Sequence, residues 1–145
     1  MSDSNVYQAH LNKALQHFDC QSGTIHQADQ SGEFLDLVAA IGIPESLMDK
    51  VSRIPFGKGI AGVAAATREP VELCNLQQDL GGVAKDGARA TGVSGSLAVP
   101  IFSKDSSKVL GTLGIGKYVP YDFSDEEKQQ LAEHAREIAT AFSGD

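Results

Sequence analysis

Thiols, basic patches and long apolar runs are all scarce in this chain, and each shortage removes a class of protein. Of 145 residues only Cys20 and Cys74 are cysteine, far apart and in no C-x-x-C, too few for a disulfide framework or a zinc site. Both read as reduced thiols of an ordinary core. Twelve Lys and Arg stand against 19 Asp and Glu, a net charge of -7, and no local cluster of cations compensates. A nucleic-acid partner, which needs a basic face to release counterions, is therefore not expected. No apolar run approaches the ~18 residues of a membrane span, and "MSDSNVYQAHLNKAL" lacks the charged start and apolar core of a signal peptide. The expectation is a cytoplasmic protein with no membrane partner. The four histidines, His10, His17, His26 and His134, show neither H-x-x-x-H nor H-E-x-x-H spacing, so no metal, catalytic centre or resident cofactor is expected.

What is present is an ordinary globular composition, 41% apolar and 21% charged, in a length that suits one domain over 1–145. In "NVYQAHLNKALQHF" Leu11, Ala14, Leu15 and Phe18 fall on one face of a helix. The period then changes. "GTIHQAD" and "EFLDLVAAIG" flank the polar turn "QSGE" and predict an antiparallel hairpin over 24–42. Pro44 opens a short helix carrying Leu47, Met48 and Val51, and "RIPFGKG" reads as extended chain and a turn. Gly59 to Thr67 reads as a close-packed helix and "EPVELCN" as a short strand. Residues 75–95, with five glycines, form a long irregular loop of the kind that tends to carry function. "SLAVPIF" and "VLGTLGIGKY" predict a second hairpin joined by "SKDSSK". Ser124 and Glu127 make a capping box for a terminal helix with Leu131, Ala135, Ile138 and Phe142 in its stripe. The economical arrangement lays both terminal helices on one face of a mostly antiparallel sheet.

Two motif matches fail in context. "GKGIAG", Gly57 to Gly62, fits the dinucleotide pattern G-x-G-x-x-G, but no buried strand feeds it and Glu72 lies in no parallel sheet. "GTLGIGK", Gly111 to Lys117, fits part of a P-loop, yet Tyr118 stands where a hydroxyl for magnesium should follow and Pro120 forbids the helix. It reads as a strand with Leu113 and Ile115 on one side, while Thr112, Gly114 and Gly116 leave room on the other.

Taken in order, "GTIHQAD", "IPFGKGIAGVAAATREPVEL", "GVSGSLAVPIF", "VLGTLGIGKY" and "DFSDEEKQQLAEHAREIATAF" resemble the GAF domain family from about Asn12 to Phe142. The resemblance implies an α+β fold: a central six-stranded, mostly antiparallel sheet, N- and C-terminal helices on one face, and short helices with a long loop covering a small-molecule pocket on the other. It gives Gly57 and Gly59 the turn, and Gly62 the close approach of the helix to the sheet. Tetrapyrrole-binding relatives need a pigment cysteine, and neither Cys20 nor Cys74 sits at that place. Cyclic-nucleotide relatives carry N-K…F-x-x-x-D-E. Here Lys117 and Phe123 match and Glu127 is expected within reach of Lys117, but Gly116 replaces Asn and Lys128 the last acid. The family's reductases of free methionine sulfoxide use cysteines at positions held here by Val51, Ala61 and Arg89, which leaves Cys74 without a resolving partner.

The resulting expectation is a non-enzymatic sensory domain that binds an unidentified small molecule between its sheet and the 75–95 loop. Pocket candidates are Phe56, Cys74, Asn75, Leu76, Val83, Arg89, Val93 and Ser96, with His26 facing the pocket from an alternating strand. Lys85 and Arg89, with the helix start at Gly59, would suit an anion. A ligand-free interaction module and a reductase are the alternatives. Pairing as a homodimer through the terminal helices is expected, with His10, Gln16, His134 and Glu137 available to a partner, and the output passes to a separate signalling protein.

Overall fold

The computed structural model describes residues 3–43, 52–73, 95–105, 107–117, 121 and 123–143. Helix α1 (Asp3–Phe18) buries Tyr7, Leu11, Ala14, Leu15 and Phe18 along one stripe. It stops where Asp19 turns left-handed at φ 54° and the Cys20 N–H closes back on the Leu15 carbonyl at 2.9 Å. Lys117 Nζ donates to the last carbonyls, of Phe18 at 2.8 Å and Asp19 at 3.2 Å, placing a cation at the negative end of the helix dipole.

Strands β1 (Ser22–Ala28) and β2 (Phe34–Ile41) form the first hairpin. Its turn is organised by Asp29, which accepts from the Ser31 hydroxyl at 2.7 Å and from the amides of Glu33 and Phe34. The Ser31 bond, ahead of the amides and Arg53, holds that carboxyl below the usual carboxylate range. Strand β3 (Arg53–Pro55) pairs with β2, and Arg53 bridges Asp29 and Asp36 at 2.9 Å each. Sequence pattern treated this stretch as extended chain, because three residues ending in proline offer no alternation to detect.

Gly57 and Gly59 take φ of 89° and 71° in the turn before helix α2 (Gly59–Thr67). A side chain at Gly62 would strike the carbonyl of Pro55, so its close approach is to the end of edge strand β3. Strand β4 (Val71–Leu73), strand β5 (Gly95–Phe102) and strand β6 (Val109–Lys117) complete a sheet ordered β3-β2-β1-β6-β5-β4, every neighbour antiparallel. Asp105 sets the β5–β6 turn by accepting from the hydroxyls of Ser107 and Ser103, which push its carboxyl down to about 2.

Helix α3 (Asp125–Ser143) starts at the expected capping box: the Ser124 hydroxyl accepts the Glu127 N–H at 3.1 Å, and Glu127 accepts the Ser124 N–H at 2.9 Å. Glu72 of β4 accepts the Phe123 amide at 2.6 Å and pairs with Lys128 at 2.8 Å, tying the helix start to the sheet edge. Alternation along the strands sends Ile25, Leu97, Val99, Leu113 and Ile115 to the face covered by α1 and α3, where they meet Leu11, Leu131 and Ile138 in the main core. Helix α2 lies against β5 and β6, and the buried Ala64 and Ala65 stand outside that core. The α+β fold with a six-stranded antiparallel sheet is as expected. The helix expected from Pro44 and the 75–95 loop up to Val93 lie outside the described residues.

Candidate functional site

The face opposite the main core is built differently. Register places Ser22, Thr24 and His26 of β1 beside Gly116, Gly114 and Thr112 of β6, which in turn pair with Ser96, Ala98 and Pro100 of β5. The result is a floor of small and hydroxyl-bearing residues, with larger groups only toward one end. A side chain built at Gly114 would meet the Thr24 hydroxyl at 3.4 Å and the Leu97 carbonyl at 3.9 Å and, among the described residues, nothing else within 4 Å. Among those residues the centre of the floor is left uncovered.

His26 and Thr112 are cross-strand partners at the floor's inner end, each only 1% exposed. Among the described residues the Thr112 hydroxyl meets no hydrogen-bond partner. A buried hydroxyl left so costs about 1–3 kcal/mol, and such groups call for a ligand, a water or a neighbour. Thr112 had been read only as leaving room; the alternation of "GTLGIGK" already placed it on this face, and its burial was the missing fact. Ser22 and Thr24 were legible in the same way from the period of "SGTIHQA".

Of the expected site residues, the structure brings His26 and Ser96 to this face at its two ends and sets Phe56 beyond the His26 end, away from Ser96. Ser96 lies at the end nearest Gly116 and donates to the Ile115 carbonyl at 3.4 Å. Phe56 is tied by its N–H to the Glu33 carbonyl at 2.9 Å, beside the first hairpin turn at the opposite end of the strands. Four residues of β5 separate the levels of Ser96 and Pro100 alone, about 13 Å of strand. Phe56 belongs with a groove at that far end, lined also by Ala28, Asp29 and Phe102. Cys74, Asn75, Leu76, Val83, Arg89 and Val93 lie outside the described residues, as do Lys85 and Val51.

Two further groups turn out to be structural. Lys117, the match to the cyclic-nucleotide signature, is directed to the α1 carbonyls and lies 4.6 Å over the Tyr121 ring, while Glu127 takes the Tyr121 hydroxyl at 2.8 Å. Burial raises the Glu127 carboxyl, the Ser124 and Tyr121 hydrogen bonds lower it, and Lys117 adds to the lowering, so the two stand within electrostatic reach as expected while each also caps a helix. His134, expected on the helix surface for a partner, is 8% exposed and shares a 2.9 Å hydrogen bond with His17 across the α1–α3 seam. It lies one helical turn from Leu131, on the apolar side, and Glu137 beside it bridges to Lys13 at 3.2 Å within the same chain.

Burial pushes the Cys20 thiol up to about 11, well outside the range of a reactive thiolate. Among the described residues no group of three His, Cys, Asp or Glu could hold a metal. No helix there is long and apolar enough to cross a membrane.

Comparison with known proteins places this geometry. A family model described as GAF domain matches residues 2–143. The GAF domain of the Acinetobacter phosphoenolpyruvate-protein phosphotransferase superposes with a TM-score of 0.81 at 18% identity, over 99% of this chain and 84% of that one. The free methionine-R-sulfoxide reductase of Neisseria meningitidis, solved in complex with its substrate, gives 0.79 at 19% identity, over 98% and 78%. A domain of a Sinorhizobium meliloti protein described as a two-component sensor histidine kinase gives 0.76 at 18% identity, over 99% and 92%. At these identities the likeness is one of fold. No curated protein matches the chain.

Proposed function

The chain belongs to the GAF domain family, and on that premise we propose that it is a non-enzymatic sensory or regulatory domain that binds a small molecule on the second face of its sheet. The observation that carries the reading is the small-residue floor at Gly114, open among the described residues, beside the buried Thr112 hydroxyl that finds no partner there. A rigid sheet presenting a few convergent polar groups under open space is what a small ligand requires. His26 and Ser96 flank the floor and would supply polar contacts from its two ends. Of the pocket candidates from sequence, Cys74, Asn75, Leu76, Val83, Arg89 and Val93 remain part of this proposal, as the cover. Phe56 remains in it as a residue beyond the floor's His26 end.

The test is mass spectrometry of protein purified under native conditions, followed by a thermal-shift screen of metabolites. A ligand is expected to raise Tm in the wild type, and the shift should shrink in Thr112→Val. No bound mass and no shift across the screen would remove the ligand from the proposal and leave an interaction module.

The reductase is a weaker reading. Its chemistry needs a thiolate, and burial pushes the Cys20 thiol up to about 11, away from that form at neutral pH. Ala61 stands on α2 where those enzymes resemble this chain but carry cysteine. No turnover of free methionine sulfoxide is expected, and turnover abolished by Cys74→Ser would reverse the assignment. As for setting, the proposal is a cytoplasmic protein that pairs through its terminal helices and passes its signal to a separate protein. Sedimentation tests the pairing, and a monomer at high concentration counts against it.

A further inference from the structure

Strand β4 pairs only with Ser96, Leu97 and Ala98, whereas β5 continues to Phe102. From Val99 onward β5 is thus, among the described residues, the outermost strand on its side of the sheet. Pro100 stands in that stretch, where a residue without an N–H is tolerated because no described strand follows. A groove of about 1600 Å³ runs beside it, walled by the bare strand, the end of α2 and the α3 flank at Ala135 and Ala139. Small-molecule sites occupy roughly 300–1,000 Å³, so this groove is sized for a length of chain.

Its charge runs against the rest of the molecule. Arg68, Lys104, Lys108 and Arg136 line it, four of the chain's twelve cations. They face two carboxylates, Asp29 and Asp105, which leaves the described lining at +2 in a chain of net -7. Both carboxylates are engaged, Asp29 by Arg53 and Asp105 by Ser103 and Ser107. Arg68 donates to the Ser107 carbonyl at 3.2 Å and lies 5.2 Å over the Phe102 ring, bracing the turn that presents Lys104 and Lys108. Arg136 faces that turn from the exposed side of α3.

We propose that this groove docks an extended acidic segment of a partner protein. Its carboxylates would meet Arg136, Lys104 and Lys108, and its apolar side chains would settle between Phe102 and the alanine flank of α3. Complementary charge steers such a segment and fixes its direction. Because Pro100 offers no N–H, side chains rather than a continuous ladder hold it. The groove meets the ligand floor at Pro100 but excludes its centre: neither Thr24, Ser96 nor Gly114 lines it.

Fluorescence anisotropy on the full chain tests this with a labelled peptide of alternating Glu and Val, and an alternating Lys and Val peptide as control. The acidic peptide should bind and the basic one should not. Arg136→Glu and Lys108→Glu should each weaken binding by about tenfold, equivalent to about 1.4 kcal/mol. Rising salt should weaken the wild-type complex further. Both residues are exposed, so unchanged melting of the variants confirms that the loss is one of contact. No acidic-peptide binding up to about 1 mM, equal binding of the basic peptide, or full binding by either variant would overturn the proposal. So would displacement by inorganic sulfate at similar concentration, which would mark a simple anion site. A dimer that dissociates in Lys108→Glu would overturn it in favour of a second copy as occupant. Thr112→Val should leave peptide binding intact, which separates this outcome from that of the ligand floor.

Discussion

One face of the sheet is filled and the other is furnished. On the first, Leu11, Ile25, Leu97, Leu113, Leu131 and Ile138 are fully buried between sheet and terminal helices, and even the glycine there is forced by packing. A side chain at Gly23 would lie 2.8 Å from the Gly114 carbonyl and 2.9 Å from Leu11 and Leu15. On the second face, one residue along β1 and across to β6, Gly114 has open space above it among the described residues, and its neighbours carry hydroxyls or methyl groups. The same two strands therefore serve as a wall of the core on one side and as a floor of small residues on the other, with the period-two alternation dividing the work.

The sharpest way to break this contrast is to cut into the filled face. Leu113→Ala should cost about 2–5 kcal/mol in urea denaturation, since a fully buried leucine leaves both lost transfer energy and a cavity. Gly23→Ala should cost about 1–3 kcal/mol, because the added methyl must displace two leucines and a main-chain carbonyl. If either change is silent, the first face is not the core of the molecule.

Much of this was legible in the sequence, for physical reasons that differ by element. The terminal helices announced themselves because a buried stripe imposes a 3.6 period, and the hairpins because each turn concentrates Asp and Ser, with Gly32 in the first. Strand β3 was missed: its pairing with Phe34 to Asp36 is long-range and its three residues carry no pattern. Sequence places Phe56 beside the glycine turn but cannot say at which level of the strands that turn lies; the structure sets it by the Glu33 carbonyl. His134 was legible and overlooked, being three residues after Leu131 on the buried side. Lys117 fitted a signature, yet the α1 carbonyls that claim it are 98 and 99 residues away.

Intermediate effects should come from the ends and seams of the filled face. Ser124→Ala removes the hydroxyl that receives the Glu127 amide and should cost about 1 kcal/mol by the same denaturation. The His17–His134 contact makes the helix seam sensitive to acid. Burial is the largest influence on His134; Glu137 opposes it while His17, Lys13 and His10 add to it, and the net result holds the imidazole below the ordinary value of 6.5. A histidine depressed in the folded state takes up its proton more readily when unfolded, so its contribution is complete above pH ~6.5 and lost as pH falls below that. Melting at pH 5 should therefore fall short of melting at pH 7.5, and His134→Gln should flatten the difference. An unchanged slope in that variant would assign the acid sensitivity elsewhere.

The smallest expected change in stability is the most informative about the second face. Gly114→Ala adds a methyl whose nearest neighbour, the Thr24 hydroxyl, lies at an ordinary contact distance of 3.4 Å. The strand conformation accepts alanine without strain, and the substitution removes freedom from the unfolded chain, so stability should stay within about 0.5 kcal/mol of the wild type or rise slightly. Against Gly23→Ala, one residue away on the neighbouring strand, the same methyl would then be tolerated on one side of the sheet and rejected on the other. Ligand-induced thermal shifts should nevertheless shrink, because the methyl occupies the floor. Should Gly114→Ala instead destabilise as strongly as Gly23→Ala, the second face is as tightly filled as the first, and the open floor on which the ligand proposal rests is gone.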